Sequence, residues 1–238
     1  MSLPVSPLAP AGGFPDLPIV RGVRFATARA GVKYQERDDV MLAAMDPGTA
    51  VAGVFTQSAT RAAPVLDCQA KLGGAHAEGA AFLVNAGNAN AFTGRAGDGS
   101  VSALCAATAA SAGLPLDRVF TASTGVIGER LPHEKIALHI SDMATRLAPE
   151  GIKDAAKAIT TTDTYPKGAS TTVRIAGTDV AIAGSAKGAG RIAPDMATML
   201  VFIFTDAAYE QERLQGVLTE LCDRTFNCIT VDSDTSTS

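Results

Sequence analysis

Thr198 stands behind Ala197 and directly ahead of the apolar run Met199 to Phe204, at the end of the stretch Lys187-Gly-Ala-Gly-Arg-Ile-Ala-Pro-Asp-Met-Ala-Thr198. A β-branched hydroxyl in that place suits a nucleophile exposed by self-cleavage. Cutting the Ala197–Thr198 bond would free an α-amine of pKa roughly 7.7–8.0, close enough to neutrality to act as base for its own hydroxyl. The plainer reading makes Thr198 the first polar residue of a buried strand. Acyl transfer through a threonine ester also needs donors for the oxyanion that forms when the carbonyl is attacked. Ser123-Thr124-Gly125 offers them at the expected end of a strand. The Thr124 hydroxyl and the Gly125 amide would point to one spot, and glycine lets a substrate approach. An ordinary strand-to-loop turn would explain the same residues. Lys187, in a glycine-rich loop, could hold a substrate carboxylate as a point charge, or be a solvated surface lysine.

Two other readings compete. Gly188-Ala-Gly190-Arg-Ile-Ala193 satisfies the loose dinucleotide pattern G-x-G-x-x-[GA]. Such a site needs a helix that starts at the loop and faces the pyrophosphate, and Pro194 with the β-rich run after it does not supply one. A nucleotide-binding enzyme is therefore the weaker alternative. Asp232 and Asp234, spaced with Thr235 and Thr237, suggest a metal loop without its remaining ligands. A turn or strand end fits them better.

The elements that must position these groups read as alternating strands and helices, an α/β pattern. Short buried strands are expected at Val51 to Thr56, Ala81 to Val84 and Arg118 to Ala122, with Asn85 to Asn90 as an amide-rich turn after the second. Ser100 to Ala112 reads as an alanine-rich helix closed by Gly113 and Pro115. Helices follow from Pro132 to about Leu147 and over Lys153 to Ile159. Thr171 to Ala176 and Asp179 to Ala183 form a hairpin about Gly177-Thr178, leading into a loop from Gly184 to Gly190. Past the strand Met199 to Phe204, Leu214, Val217, Leu218, Leu221 and Cys222 share one helix face. Proline at positions 4, 7, 10, 15 and 18 makes residues 1–18 a flexible arm.

Composition narrows the function classes. The chain has 238 residues, 47% of them hydrophobic, enough to bury a sizeable core. A formal charge of -4, no dense basic block and no tryptophan argue against nucleic acid. Cys68, Cys105, Cys222 and Cys228 lack zinc spacing and make no disulfide framework, so a reducing compartment is expected. His76, His133 and His139 are scattered, which leaves little for a metal cluster or a serine–histidine relay. The N-terminus lacks the basic start and apolar centre of a secretory signal, and the run from Met199 to Phe204 is too short to cross a bilayer. A soluble cytoplasmic protein with no membrane partner is the expectation.

The pattern K-G-x-G-x-I-A-P-x-M-A-T-M-L resembles the processing site of the ornithine acetyltransferase family, the glutamate N-acetyltransferases of arginine biosynthesis. Further matches follow in family order: Val54-Phe-Thr56, Asn85-Ala-Gly-Asn-Ala-Asn90, Ser123-Thr-Gly-Val-Ile-Gly128, Thr161-Thr-Asp-Thr164 and Ile229-Thr-Val-Asp-Ser-Asp-Thr-Ser-Thr237. The resemblance implies a layered sheet-and-helix α/β fold with an autoprocessed threonine, Thr198, that takes acetyl from N2-acetylornithine and passes it to glutamate. It implies Thr124 and Gly125 as the oxyanion hole. Lys187 and Thr161, with Thr162 second, would contact substrate. No cofactor and no metal are required. Some family members also take acetyl from acetyl-CoA, a second activity that no residue here decides. Residues 19–197 would correspond to the α chain and 198–238 to an incomplete start of the β chain, in a heterotetramer of two α and two β fragments. Family members continue beyond the D-x-D-T-S-T segment, so an inactive truncated homologue is the other alternative. Arg191, where an apolar residue would be unsurprising, bears on cleavage efficiency.

Overall fold

The run Val40–Met45 is apolar without alternation, which suits a strand covered on both faces. It becomes β2, and every one of its residues is buried. In the computed structural model, which describes residues 4–7, 9–73, 77–188, 199–229 and 236–238, β2 lies between β1 (Val23–Ala28) and β3 (Ala80–Asn88). The fourth strand, β4 (Val119–Val126), completes a sheet of order β1-β2-β3-β4. The first two pairings are antiparallel and β3–β4 is parallel. A parallel pair needs a crossover, and the connection carries α2 (Gly94–Ala112), which stops at Gly113 with φ 67°.

The period of two in β2 sends Leu42 to one side and Met41, Ala43 and Met45 to the other. Leu42 and Leu83 pack with Leu104 of α2 and with Ile136, Ile140 and Met143 of α3 (His133–Thr145). On the opposite face Met41 and Phe120 meet Ile152, Ala155 and Ile159 in and just beyond α4 (Ile152–Ala158). That face also meets a second sheet, of order β5-β6-β7, built from β5 (Lys167–Ile175), β6 (Thr178–Lys187) and β7 (Leu200–Thr205). Phe204 of β7 sits edge-on to Phe25, ring centroids 5.1 Å apart, and Phe82 lies between Phe120 and Phe202. The layers are thus helices, mixed sheet, and a small antiparallel sheet with α4. The expected layered α/β class is the one found.

Several local expectations are corrected. Val51–Thr56 forms no strand, because its backbone is answered by glutamine side chains instead of a ladder. Gln215 of α5 (Gln211–Arg224) donates to Gly53 O and accepts from Gly53 N, both at 3.0 Å. Asn85 to Asn88 belong to β3 and Ser123 to Gly125 to β4, since parallel pairing continues through both motifs. Gly184 to Lys187 likewise lie in β6, paired with β7. The hairpin turn is Ala176-Gly177, with φ 49° and 83° as a type I′ turn requires. On the amphipathic helix α5, Cys222 alone is buried, and Leu214 and Leu218 line a cavity. In the proline-rich arm, the Ser6 amide donates to Thr164 Oγ1 at 3.2 Å and the Phe14 ring lies against Gly168. Strands β1 and β2 and helix α1 (Ala63–Lys71) were not foreseen.

Ile140 is 1% exposed between α3 and the mixed sheet. Ile140→Ala should destabilise the chain by about 2–5 kcal/mol, read as a lower urea midpoint at unchanged denaturant slope.

Candidate functional site

The end of the β3–β4 pair sets the geometry. Gly125 has φ +136°, and a Cβ there would fall 2.3 Å from the carbonyl carbon of Gly87 on the neighbouring strand. Two backbones meet with no room for a side chain, so Gly125 is required by packing as well as by conformation. A buried amide network holds this junction. Ser123 Oγ donates to Asn85 Oδ1 at 2.7 Å, Asn85 Nδ2 to Asn88 O at 2.9 Å, and Asn88 Nδ2 to Glu129 O at 3.0 Å. The Asn90 amide donates to Asn88 Oδ1 at 2.8 Å. The side-chain amides of this segment thus brace the strand ends.

On this brace sits Thr124, 1% exposed, whose Oγ1 accepts a hydrogen bond from Lys187 Nζ at 2.9 Å. The two come from different sheets, β4 and the last position of β6. Lys187 is 2% exposed and so is not the solvated lysine the sequence allowed. Burial lowers its pKa to about 8; Asp163 pulls upward against that and Lys167 adds to the lowering. Among the described residues Thr124 Oγ1 donates to no acceptor, which leaves its proton for another group.

Thr161 and Thr162 separate in position. The Thr161 amide donates to Asp163 Oδ2 at 3.2 Å, whereas Thr162 lines a cavity of about 1270 Å3 together with Ser123, Lys187, Gly188 and Met199. This cavity opens between the phenylalanines of the two sheets, the Val51–Thr56 segment and α5. Thr124, Gly125 and Thr161 are not among its lining residues. Ser236 and Ser238 are, and the Thr56 hydroxyl donates to Ser236 O while the Ala62 amide donates to Thr237 O at 2.8 Å. Two distant motifs are therefore neighbours.

Ala197 and Thr198 lie outside the described residues, as do Gly190, Arg191, Pro194, Asp232, Asp234 and His76. Their covalent neighbours are placed. Lys187 pairs with Leu200, and the position of a Cβ on Gly188 is 3.4 Å from Met199 Cα. Both ends of the connection that carries Thr198 thus emerge beside the Lys187–Thr124 bond. The next described element after Gly188 is β7, so no described helix follows to support the dinucleotide reading. Among the described residues no group of three or more His, Cys, Asp or Glu could hold a metal ion.

Sequence reasoning passed over Asp163, whose side chain is 0% exposed. Its signal was an acid among threonines with Lys167 four positions on. Ser123 was read only as part of the Ser123-Thr124-Gly125 donor segment, yet it ties β4 to Asn85.

Residues 24–238 match the ArgJ family. The arginine biosynthesis bifunctional protein ArgJ of Ruegeria pomeroyi is 63% identical over 234 residues, covering 98% of this chain and 57% of that protein. That of Bradyrhizobium diazoefficiens is 52% identical over 238 residues, with 100% and 57% covered. The chain therefore spans 57% of the length of these curated relatives. Among solved structures, the arginine biosynthesis bifunctional protein ArgJ of Bacillus halodurans matches with a TM-score of 0.65 at 33% identity, over 75% of this chain and 92% of that one. Ornithine acetyltransferase from Mycobacterium tuberculosis, complexed with ornithine, matches with a TM-score of 0.62 at 31% identity, over 76% and 94%.

The depressed Lys187 pKa makes a signed prediction. Below about pH 8 the lysine is charged in folded and unfolded chains alike, and the folded state bears its burial. Between about 8 and the ordinary 10.5 the unfolded chain keeps the proton that the folded chain has lost, so the Lys187 contribution to stability rises with pH across that window. Burial raises the Cys68 thiol to about 12 and so works in the opposite sense above pH 9. The quantity to read is therefore the stability of the wild type minus that of Lys187→Met in denaturant titrations, which should grow by on the order of 3 kcal/mol from pH 7 to pH 10.

Proposed function

The chain belongs to the ArgJ family, and on that premise we propose that it carries the catalytic centre of an acetyltransferase moving acetyl from N2-acetylornithine to glutamate through an acetyl-Thr198 ester. The observation that carries this reading is the buried bond from Lys187 to Thr124 Oγ1, set beside both ends of the connection that contains Thr198. A hydroxyl whose lone pair is occupied by an ammonium presents its proton elsewhere, which is what a donor to an oxyanion must do.

Self-cleavage comes first. The Thr198 hydroxyl attacks the Ala197 carbonyl, the peptide C–N bond breaks in an N-to-O acyl shift, and water hydrolyses the resulting ester. This frees the Thr198 α-amine. In turnover that amine takes the hydroxyl proton as Thr198 Oγ attacks the acetyl carbon. Thr124 Oγ1–H and the Gly125 amide stabilise the tetrahedral oxyanion, the C–N bond to ornithine breaks, and the α-amine's proton goes to the leaving nitrogen. The glutamate amine then attacks the ester carbonyl and gives a proton to the Thr198 α-amine, the C–O bond to Thr198 Oγ breaks, Oγ takes that proton back, and N-acetylglutamate departs. Each step conserves the acetyl group, so no cofactor enters. Lys187 and Thr162 face the cavity, where an ammonium with three donors suits a substrate carboxylate, and Thr161 serves through the loop it shares with Asp163. Acetyl-CoA is a further donor under this reading, and paired α and β fragments in a heterotetramer are the proposed assembly. No helix is long and apolar enough to cross a membrane, among the described residues; the proposed location is the cytoplasm.

Intact mass under denaturing conditions tests the nucleophile. The wild-type chain should give two fragments split after Ala197, and Thr198→Ala one uncut chain; an uncut wild type, in this chain and in a version extended to the relatives' length, would sink the reading. In the processed enzyme, Thr124→Val should lower kcat for acetyl transfer by about 10²–10³, the cost of one oxyanion donor. Transfer at the wild-type rate would remove Thr124 from the mechanism.

A further inference from the structure

Asp163 lies on the loop between α4 and β5, where three donors converge on its wholly buried carboxylate. Lys167 Nζ donates to Oδ1 at 2.6 Å, the Gly188 amide to the same oxygen at 2.8 Å, and the Thr161 amide to Oδ2 at 3.2 Å. Burial pushes the carboxyl pKa up, but the bonds from Lys167 and Gly188, with the charges of Lys167 and Lys187, outweigh it and leave the group below its ordinary value. Asp163 is therefore a carboxylate at neutral pH. Two charged groups among the described residues act on Lys187: Asp163 favours its ammonium form, and Lys167, from the start of β5, opposes it. From β4 it meets the neutral hydroxyl of Thr124.

The direction of the Thr124 hydroxyl depends on that balance. An ammonium has only donors, so Thr124 Oγ1 must accept from it and keep its own proton for another partner. A neutral amine keeps two N–H donors but gains a lone pair, an acceptor that competes for the Thr124 proton. The charge on Lys187 thus decides whether the Thr124 proton has a competing acceptor beside it.

We propose that Asp163 is a positioning residue, which keeps Lys187 a cation donating to Thr124 Oγ1 and, through the Gly188 amide, fixes the backbone from which the Thr198-bearing connection departs. The inference rests on the acyl-transfer reading of Thr124, and on nothing that Asp163 would do to substrate directly. Asn at this position preserves an acceptor for Gly188 and removes the charge; Glu preserves the charge.

The test is a pH titration of Lys187 in protein carrying 13Cε-labelled lysine, its resonance identified by loss in Lys187→Met. The wild-type midpoint should lie near 8, that of Asp163→Asn lower by about one pH unit, and that of Asp163→Glu back toward the wild type. In the active enzyme the alkaline limb of the kcat profile for acetyl transfer should move with it. An Asp163→Asn midpoint equal to the wild type would overturn the proposal. If Asp163→Asn fails to fold, Lys167→Met replaces it: the Lys187 midpoint should then rise, and an unchanged midpoint would overturn the proposal equally. Failure of the acyl-transfer reading is told apart by the intact-mass experiment, which uses none of these variants.

Discussion

The approach of β3 to β4 at Gly87 and Gly125 is a steric constraint before it is anything chemical. Parallel pairing carries both strands past the point where their motifs would otherwise turn away, and Gly125 lets the backbones meet, while a Cβ on Gly87 would run into Lys33 instead. Once they meet, Thr124 has nowhere to go but inward, and its hydroxyl must find a partner across the interlayer space. Lys187 arrives there because β6 belongs to the other sheet and ends at that level. A wider junction would let water reach Thr124 and remove the reason for a buried cation beside it. Gly125→Ala is therefore a change to the whole corner, with backbone strain of order 1–3 kcal/mol added to the displacement of β3.

Polar groups are concentrated at the strand ends, and phenylalanines between the sheets. Asn85, Asn88, Ser123, Thr124 and Lys187 are buried at the ends of β3, β4 and β6, while Phe25, Phe82, Phe120 and Phe204 pack between the sheets. The hydrogen bonds of the amide group tie Ser123, Asn85, Asn88 and Asn90 to one another, so each has a protein partner. Such networks fix a geometry when every member is paired and are costly when one is lost.

The chemistry-bearing motifs were legible in the sequence because each combines a small residue with a hydroxyl, amide or amine. The strand Met199 to Phe204, the helix from Pro132 and the hairpin after Thr171 were legible from apolar runs, proline and glycine. Less visible were the segments whose structure is decided by a distant partner. Val51–Thr56 looks like a strand, and only the fold shows that Gln215 answers its backbone. Val40–Met45 gave no period to read, since it is covered on both faces. For the same reason the sequence left Lys187 open between a substrate contact and a solvent-facing lysine, and its burial shows only once the second sheet is laid over it. The choice between Thr161 and Thr162 depended on which way a loop runs, which a run of identical residues conceals.

The Gln215 contact also governs how the cavity is walled. One side-chain amide copies the donor and acceptor of a strand backbone, and with the bond from Gln211 to Val51 O it fastens α5 to the opposite rim. Such bonds net only about 0.5–1.5 kcal/mol each, because water offers nearly the same on release. Val217 and Leu221 remain exposed, and Leu214 and Leu218 face the opening instead of a packed core. The helix is thus held as a latch holds a door, by a catch of small energy at one edge, and the width of the entrance is set separately from the rigidity of the floor on which Thr124 stands.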